Sequence, residues 1–516
     1  MLLATQPETS DSSGGSPEGS PQAPVPRAPH ALDAVLETTA QTRVSDPVLL
    51  DRFLAAREAV PAVAFWIAQH GLAGQVTTSE QALRQLNRDI AAIDVQISRQ
   101  VNAILHHPRF QKLEASWRGL QYLVDHVEDG ALVKVRVFNV GWDALARDLD
   151  RAIEFDQSQL FHKVYSEEFG ISGGEPYSVL LGDYEIRPTT DLQALAQISE
   201  VAAAAFAPFI AAAHPSLLGL DSFAELQRAV NLEAVFEQPD FLKWQMLRKK
   251  EDSRFVGLVL PRVLMRVPYA DNGSRVDSFR FHEETAAPDL AGYLWGNAVY
   301  AFGAVLLRAF TESGWLADIR GVRQDRDEAG LLSDLPTHWF GTDRAGLAGR
   351  SATEVPISEF MESELSELGF MPLCHCHDTE CAAFYANSSI QKPRQYEEAL
   401  ATANARISAM LHYMLCVSRI AHYLKVLGRE KIGTFADAGD CEHFLNDWLS
   451  RYVTHDDDAT PETKARFPLR EAEAQVREQP GRPGSYSCVI LLQPHYQLDD
   501  IVSAIRLTTE LAAVRA

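Results

Sequence analysis

Apolar side chains recur at intervals near 3.6 residues from Ser79 onward: Leu83, Leu86, Ile90, Ile93, Val95, Ile97, Val101, Ile104 and Leu105. That spacing predicts helix from Ser79 to His126, broken at Pro108 and resumed over Phe110 to Val124. Thr78 or Ser79 is placed to cap its start, with Gln81 nearby. At Ala131 the period changes to two: Leu132, Val133, Val135, Val137, Phe138 and Val140 surround Lys134 and Arg136, which predicts a strand over Ala131 to Val140. The pattern then predicts a helix over Trp142 to Tyr165, a glycine-rich turn at Gly170 to Gly174, a buried strand over Tyr177 to Gly182 and an Ala-rich helix over Asp191 to Ala213. Further on it predicts a strand at Phe255 to Leu260 and helices at Tyr293 to Phe310, Ala401 to Lys431 and Asp440 to Tyr452. The end reads as β-structure at Ala472 to Arg477, Tyr486 to Leu492 and Ile501 to Leu511. Such a mixture of elements predicts an α+β fold.

Composition divides the chain further. Residues 1–30 are Ser, Pro, Gly and Glu with almost no large apolar side chain, too little to offset the entropy of ordering, so a disordered tail is expected there. An N-terminal arm with first helices is expected over 31–78, a mixed α/β domain over 79–380, and a C-terminal core domain over 381–516. The first residues, MLLATQPETS, carry neither a basic nor an apolar signal region. The longest apolar run, Val201 to Ala213, contains Pro208 and is too short to span a bilayer. Six cysteines in 516 residues are too sparse for a disulfide framework, which fits a reducing cytoplasm. With 47 basic and 70 acidic residues the net charge is −23, which excludes nucleic-acid binding through a basic footprint and disfavours anionic lipid.

The chemistry-bearing motifs fail on context. Gly170-Ile171-Ser172-Gly173-Gly174 has the spacing of a nucleophile elbow, but the elbow runs from strand to helix and here a helix precedes and a strand follows. Cys374, His375, Cys376, His377, Asp378 and Cys381 form one cluster of soft ligands, without the second ligand pair that tetrahedral zinc requires. Asp456, Asp457 and Asp458 lack the alternating ligands, central Gly and distal Glu of a calcium loop. His106 and His107 are adjacent at a helix break and diverge. No catalytic residue, cofactor site or metal site is expected, and the chain reads as a binding or structural protein.

Several long segments resemble the large subunit of the contractile sheath of the bacterial type VI secretion system, the TssC/VipB family. They include ILHHPRFQKLEASWRGLQYLV (Ile104 to Val124), DLDRAIEFDQSQLFHKVYSEEFGISGGEPYSVLLGDYE (Asp148 to Glu185) and AFAPFIAAAHP (Ala205 to Pro215). YLWGNAVYAF (Tyr293 to Phe302), TEVPISEFMESELSELGFMPL (Thr353 to Leu373) and AAFYANSSIQKP (Ala382 to Pro393) continue the series. RIAHYLKVLGREKIGTF (Arg419 to Phe435), LNDWLSRYV (Leu445 to Val453) and KARFPLREA (Lys464 to Ala472) complete it. The resemblance runs from about residue 80 to the end.

The resemblance implies a structural protein that pairs with a small sheath subunit (TssB/VipA-like). Copies of the pair would stack into a helical tube around an inner tube protein, on a baseplate, and contract to propel that tube. An AAA+ ATPase would then disassemble the contracted form. No nucleic acid, no membrane insertion and no cofactor are implied. The family exchanges terminal strands between neighbouring subunits. Tyr486, Cys488, Ile490, Leu492, Ile501, Ile505, Leu507 and Leu511 are the residues expected to form the inter-subunit strands. The alternatives are a phage-like tail sheath protein and a cytoplasmic hydrolase using Ser172 or a metal at Cys374 to Cys381. For an assembling chain, a charge of −23 must be offset at each interface, which predicts salt-dependent assembly.

Overall fold

The computed structural model describes residues 51–511, apart from 52, 56, 59–61, 64, 67–77, 172, 189, 229–230, 272, 274–278, 286–291, 323–328, 340–348, 377–378, 432–437, 457–458, 479–485 and 496–504. The expected tail over 1–30, most of the expected arm over 31–78, and Ser172, His377, Asp378, Asp457, Asp458 and Ile501 lie outside the described residues. Two compact units form: Ala115–Arg266 with Trp295 and the residues after it, and a smaller one holding residues up to Glu114 with Val267–Leu294.

The smaller unit is built on α1 (Ser79–Leu105). Thr78 accepts from the Gln81 N–H while the Gln81 side chain returns to the Thr78 N–H, the expected reciprocal cap. Near its C-terminus, Asn102 Oδ1 accepts from Glu284 N at 3.3 Å, and His106 Nε2 lies 3.2 Å from Glu283 Oε1. The expected apolar stripe is only half covered, leaving Leu83 58%, Ile90 49%, Ile93 42% and Ile97 41% exposed. Pro108 opens α2 (Pro108–Asp125).

The larger unit holds a six-stranded sheet. Its strands are β1 (Leu180–Ile186), β2 (Phe209–Ala213), β3 (Val256–Leu260), β4 (Leu331–Leu332), β5 (Met371–His375) and β6 (Ala382–Phe384). They lie in the order β1-β2-β3-β5-β6-β4. The β1, β2, β3 and β5 neighbours are parallel, and β6 and β4 continue antiparallel. All of β2 and β3 is buried. One apolar cluster gathers Leu195, Ile198, Trp244 and Phe370, and another gathers Val299, Phe302, Leu373 and Phe384.

Four expected elements differ, each for a local reason. The run Asp191 to Ala213 splits into α4 (Leu192–Ala205) and β2. Phe206 turns left-handed with φ 50°, Ala207 N donates back to Ala202 O, and Pro208 cannot continue a helix. A strand buried on both faces shows no alternation, so its all-apolar run resembles a buried helix. The helix from Trp142 stops at α3 (Trp142–Arg151). It restarts after Ser158, where the Asp148 carboxylate accepts from the N–H groups of Gln159 and Leu160. The restarted helix reaches Phe169 through a π turn at His162–Ser166. Residues 131–140 form no strand ladder among the described residues, Val137 alone making an isolated bridge.

The long helix over Ala401 to Lys431 breaks into α8 (Ala399–Ser408) and α9 (Leu411–Lys431). Met410 instead pairs with Ser388, Leu411 N donates to Asn387 O at 2.8 Å, and Ser389 N and Oγ both donate to Ala409 O. A passing strand-like segment has taken over backbone groups at the junction. The remaining helices used below are α5 (Leu242–Arg248), α6 (Val299–Ser313), α7 (Glu359–Glu367) and α10 (Ala438–Ser450).

Two contacts make the sheet domain testable. Gly119 of α2 faces Tyr300 of α6 so closely that an added Cβ would stand 2.2 Å from the ring. Gly119→Val is expected to destabilise the chain by about 3 kcal/mol, read from a denaturant midpoint, because neither helix can withdraw without opening the core. Arg262, just beyond β3, forks onto Glu185 of β1 at 2.6 and 3.1 Å, and its third nitrogen lies 3.5 Å from the buried Glu354. Burial raises the Glu354 pKa, against the lowering pull of Arg262. Arg262→Met strands these carboxylates and is expected to cost about 3–5 kcal/mol near neutral pH.

Candidate functional site: the C-terminal sheet

The three predicted terminal strands form one antiparallel sheet, in the order β7 (Leu469–Glu478), β8 (Tyr486–Pro494), β9 (Ile505–Leu511). The register sets Glu478 opposite Tyr486 and Ala474 opposite Ile490, with an irregularity between Leu469 and Glu471. On the other side Tyr486 faces Leu511, Ile490 faces Leu507 and Leu492 faces Ile505. Alternation places Ala474 and Val476 of β7, and Cys488, Ile490 and Leu492 of β8, on the buried face. They pack with Val417, Ile420 and Leu424 of α9 and with Cys441, Leu445 and Leu449 of α10, and Tyr486 is half-buried against this core.

The candidate strand residues therefore divide. Tyr486, Cys488, Ile490 and Leu492 lie on the central strand, whose backbone is paired on both sides within the chain. The two terminal strands were expected to leave an edge, and among the described residues the uncovered side of this sheet is that of the outer strand. Ile505, Leu507 and Leu511 lie on that outer strand.

The opposite edge is covered by a device that patterning did not reveal. The α10 side chain of Asn446 accepts from Ala474 N at 2.8 Å through Oδ1 and donates to Ala474 O at 3.0 Å through Nδ2. One helical turn earlier, Glu442 Oε2 accepts from Val476 N at 2.8 Å. Residues i and i+4 of a helix share a face, so α10 serves alternate residues of β7 as a neighbouring strand would. The segment after α10 extends this cover: Val453 bridges Leu469 in parallel, and Thr454 N donates to Leu469 O at 2.9 Å. The signal lay in a Glu and an Asn four apart on a helix preceding a strand, too common a spacing to single out.

Helix α9, under this sheet, is tied to the end of α4. His422 Nε2 donates to Ala205 O at 2.9 Å, and Lys425 Nζ reaches Ala204 O at 3.4 Å, so both serve carbonyls of a helix C-terminus. The Lys425 ammonium also lies 4.6–4.9 Å from the ring centres of Tyr165, Phe169 and Phe206. Burial lowers His422 to about 4 and Lys425 to about 8. His412, fully buried at the start of α9 with neither ring nitrogen bonded among the described residues, is lowered to about 3 by desolvation, with Arg320 adding to the effect.

The other motifs take structural places. Gly170 closes the helix ending at Phe169, ahead of the strand that begins at Leu180. Cys374 is buried on β5 with its thiol pushed up to about 12 by burial, whereas Cys376 already lies beyond the strand and donates its N–H to Cys381 O. Among the described residues no three His, Cys, Asp or Glu side chains converge as a metal site, and no helix is long and apolar enough to cross a membrane.

The comparisons place this chain in the class of tail sheath proteins. Residues 87–391 match VipB (EvpB/VC_A0108, tail sheath N-terminal domain) and residues 400–511 match VipB_2 (EvpB/VC_A0108, tail sheath gpW/gp25-like domain). The chain belongs to the VipB tail sheath family. It is 40% identical over 486 residues to the type VI secretion system sheath protein TssC1 of Pseudomonas aeruginosa, covering 93% of this chain and 97% of that one. A solved sheath tail protein from Desulfitobacterium hafniense matches at a TM-score of 0.31 with 9% identity, over 64% of this chain and 56% of that chain, too distant to carry an argument.

Proposed function

We propose that this chain is the large subunit of a type VI secretion contractile sheath. It pairs with a small sheath subunit, and copies of the pair build a helical cytoplasmic tube around an inner tube protein on a baseplate. The chain acts as a structural element and not as an enzyme, and an AAA+ ATPase takes the contracted tube apart. Residues 79–380 serve as the mixed sheath domain and 381–516 as the core domain that links subunits. The near full-length likeness to TssC1 carries this reading. The C-terminal sheet supports it, because an uncovered strand edge is a liability that a neighbouring chain removes by strand addition. The half-exposed stripe on α1, with Leu83, Ile90, Ile93 and Ile97, is a second surface that assembly would cover.

Co-expression with the small sheath subunit tests the reading. Tubes in the electron microscope are the expected result, and a soluble monomer alone would overturn it. The charge of −23 makes tube yield rise with moderate salt. A phage-like tail sheath has the same architecture and is separated by whether a small sheath subunit gene is the neighbour.

A further inference from the structure

A cavity of about 810 Å³ opens between α5, α7 and the chain leading into α8. At its wall sits Arg248, only 6% exposed. Its Nε donates to Ile390 O at 3.0 Å and one terminal nitrogen to Glu367 O at 2.9 Å. Both acceptors are backbone carbonyls, and no carboxylate pairs with this guanidinium among the described residues. Desolvation accordingly lowers its pKa to about 10. One turn away Trp244 is fully buried and stacked on Phe370, its Nε1 closed off from the cavity and without a partner among the described residues. A buried cation without a counter-charge is costly, and Arg248 lines this space.

The rest of the wall has two signs. Lys249, Lys392, Arg394 and Arg406 continue the basic side. Of these, Arg394 is drawn to Glu251 at 3.6 Å. The facing side carries Glu233, Glu237, Glu362, Glu364 and Glu367. Two of these carboxylates are already engaged: Glu364 accepts from Leu232 N at 3.0 Å and Glu362 from Ser366 Oγ at 3.1 Å. Within the cavity an anion is held on the basic side, where Arg248 sits, and away from the facing carboxylates.

We infer that this cavity is a carboxylate-binding site, with the Arg248 guanidinium as its charge partner. The carboxylate is either that of a free organic acid or that of an Asp or Glu side chain of a neighbouring chain. The second source rests on the sheath reading above. Planar guanidinium matches carboxylate geometry, and a site of this depth excludes the water that would weaken the pair.

The test uses the full chain and glutarate as probe, with sodium chloride at equal ionic strength as control. If the source is free, glutarate raises the unfolding midpoint above the control, and Arg248→Gln weakens its binding at least tenfold. If the source is a neighbour, glutarate does nothing to the lone chain. In that case Arg248→Gln, co-expressed with the small subunit, yields no tubes although wild type does, and Arg248→Lys restores some. The exposed Lys392→Gln keeps the fold in either arm and is expected to weaken the same readout severalfold, so the inference stays testable if Arg248→Gln misfolds. Wild-type tubes together with silent glutarate and normal tubes from the variants overturn the site while leaving the sheath reading intact. Absence of wild-type tubes overturns the sheath reading and leaves the glutarate arm to decide the site.

Discussion

A chain ending at His495 will fold and will build no tubes under conditions in which the full chain does. The inner face of β7 and β8 is packed on α9 and α10, so circular dichroism and a cooperative melt should persist. What is lost is the strand that presents the open edge. Ile505→Pro should reproduce the defect with one change, because proline removes the Ile505 N–H, a donor needed once an added strand makes β9 central. Normal tubes from either variant would contradict the strand-exchange role. The contrasting experiment is Glu442→Ala with Asn446→Ala, which uncovers the β7 edge. It should lower stability by about 2–4 kcal/mol through stranded backbone groups and promote irregular aggregation.

Acid will unfold the subunit over a window set by two histidines of α9. Both are held below their ordinary 6.5 by burial, His422 at about 4 and His412 at about 3. Between those values and 6.5 the unfolded chain binds protons that the folded chain refuses, so stability falls as pH falls. Their contribution is intact above pH 6.5. Each histidine removes about 1.4 kcal/mol per pH unit inside its window, so together the slope approaches about 3 kcal/mol per unit between pH 6 and 4. Urea unfolding at stepped pH measures it. His412→Leu should halve the slope, and an unchanged slope would show that His412 is hydrated or already charged. Lys425 acts in the same direction over a higher window: its penalty is present below about pH 8 and fades as pH rises toward its ordinary 10.5, so stability again rises with pH.

How much of this was legible in the sequence depended on what each element answers to. Where amphipathic periodicity or strand alternation met a single environment, the reading located the elements, as for α1 with its Thr78–Gln81 cap and for β7 and β8. It failed where long-range partners decide. Met410 leaves its helix because Ser388 passes beside it. Phe209–Ala213 is a strand because β1 and β3 flank it, and residues 131–140 alternate like a strand but find no ladder. The candidate site followed the same rule. The sequence marked Tyr486 to Leu492 as a strand, but that Cys488, Ile490 and Leu492 turn inward and that this strand is central are matters of packing and pairing. The cover supplied by Glu442 and Asn446, and the pairing of Arg248 with backbone carbonyls, are facts of distance that no local spacing encodes.

The covered β7 edge also fixes a valence. A three-stranded sheet with both edges open could accept two incoming strands, and a collection of such sheets would cross-link into a network. Under the proposed strand exchange, with α10 occupying one side among the described residues, the C-terminal sheet takes one strand at its β9 edge and gives one, β9 itself. Units that give one and take one join only in single file or in closed rings. In a contractile tube linked in this way, tension entering at one subunit has one covalent-like route onward, and it cannot dissipate into side branches.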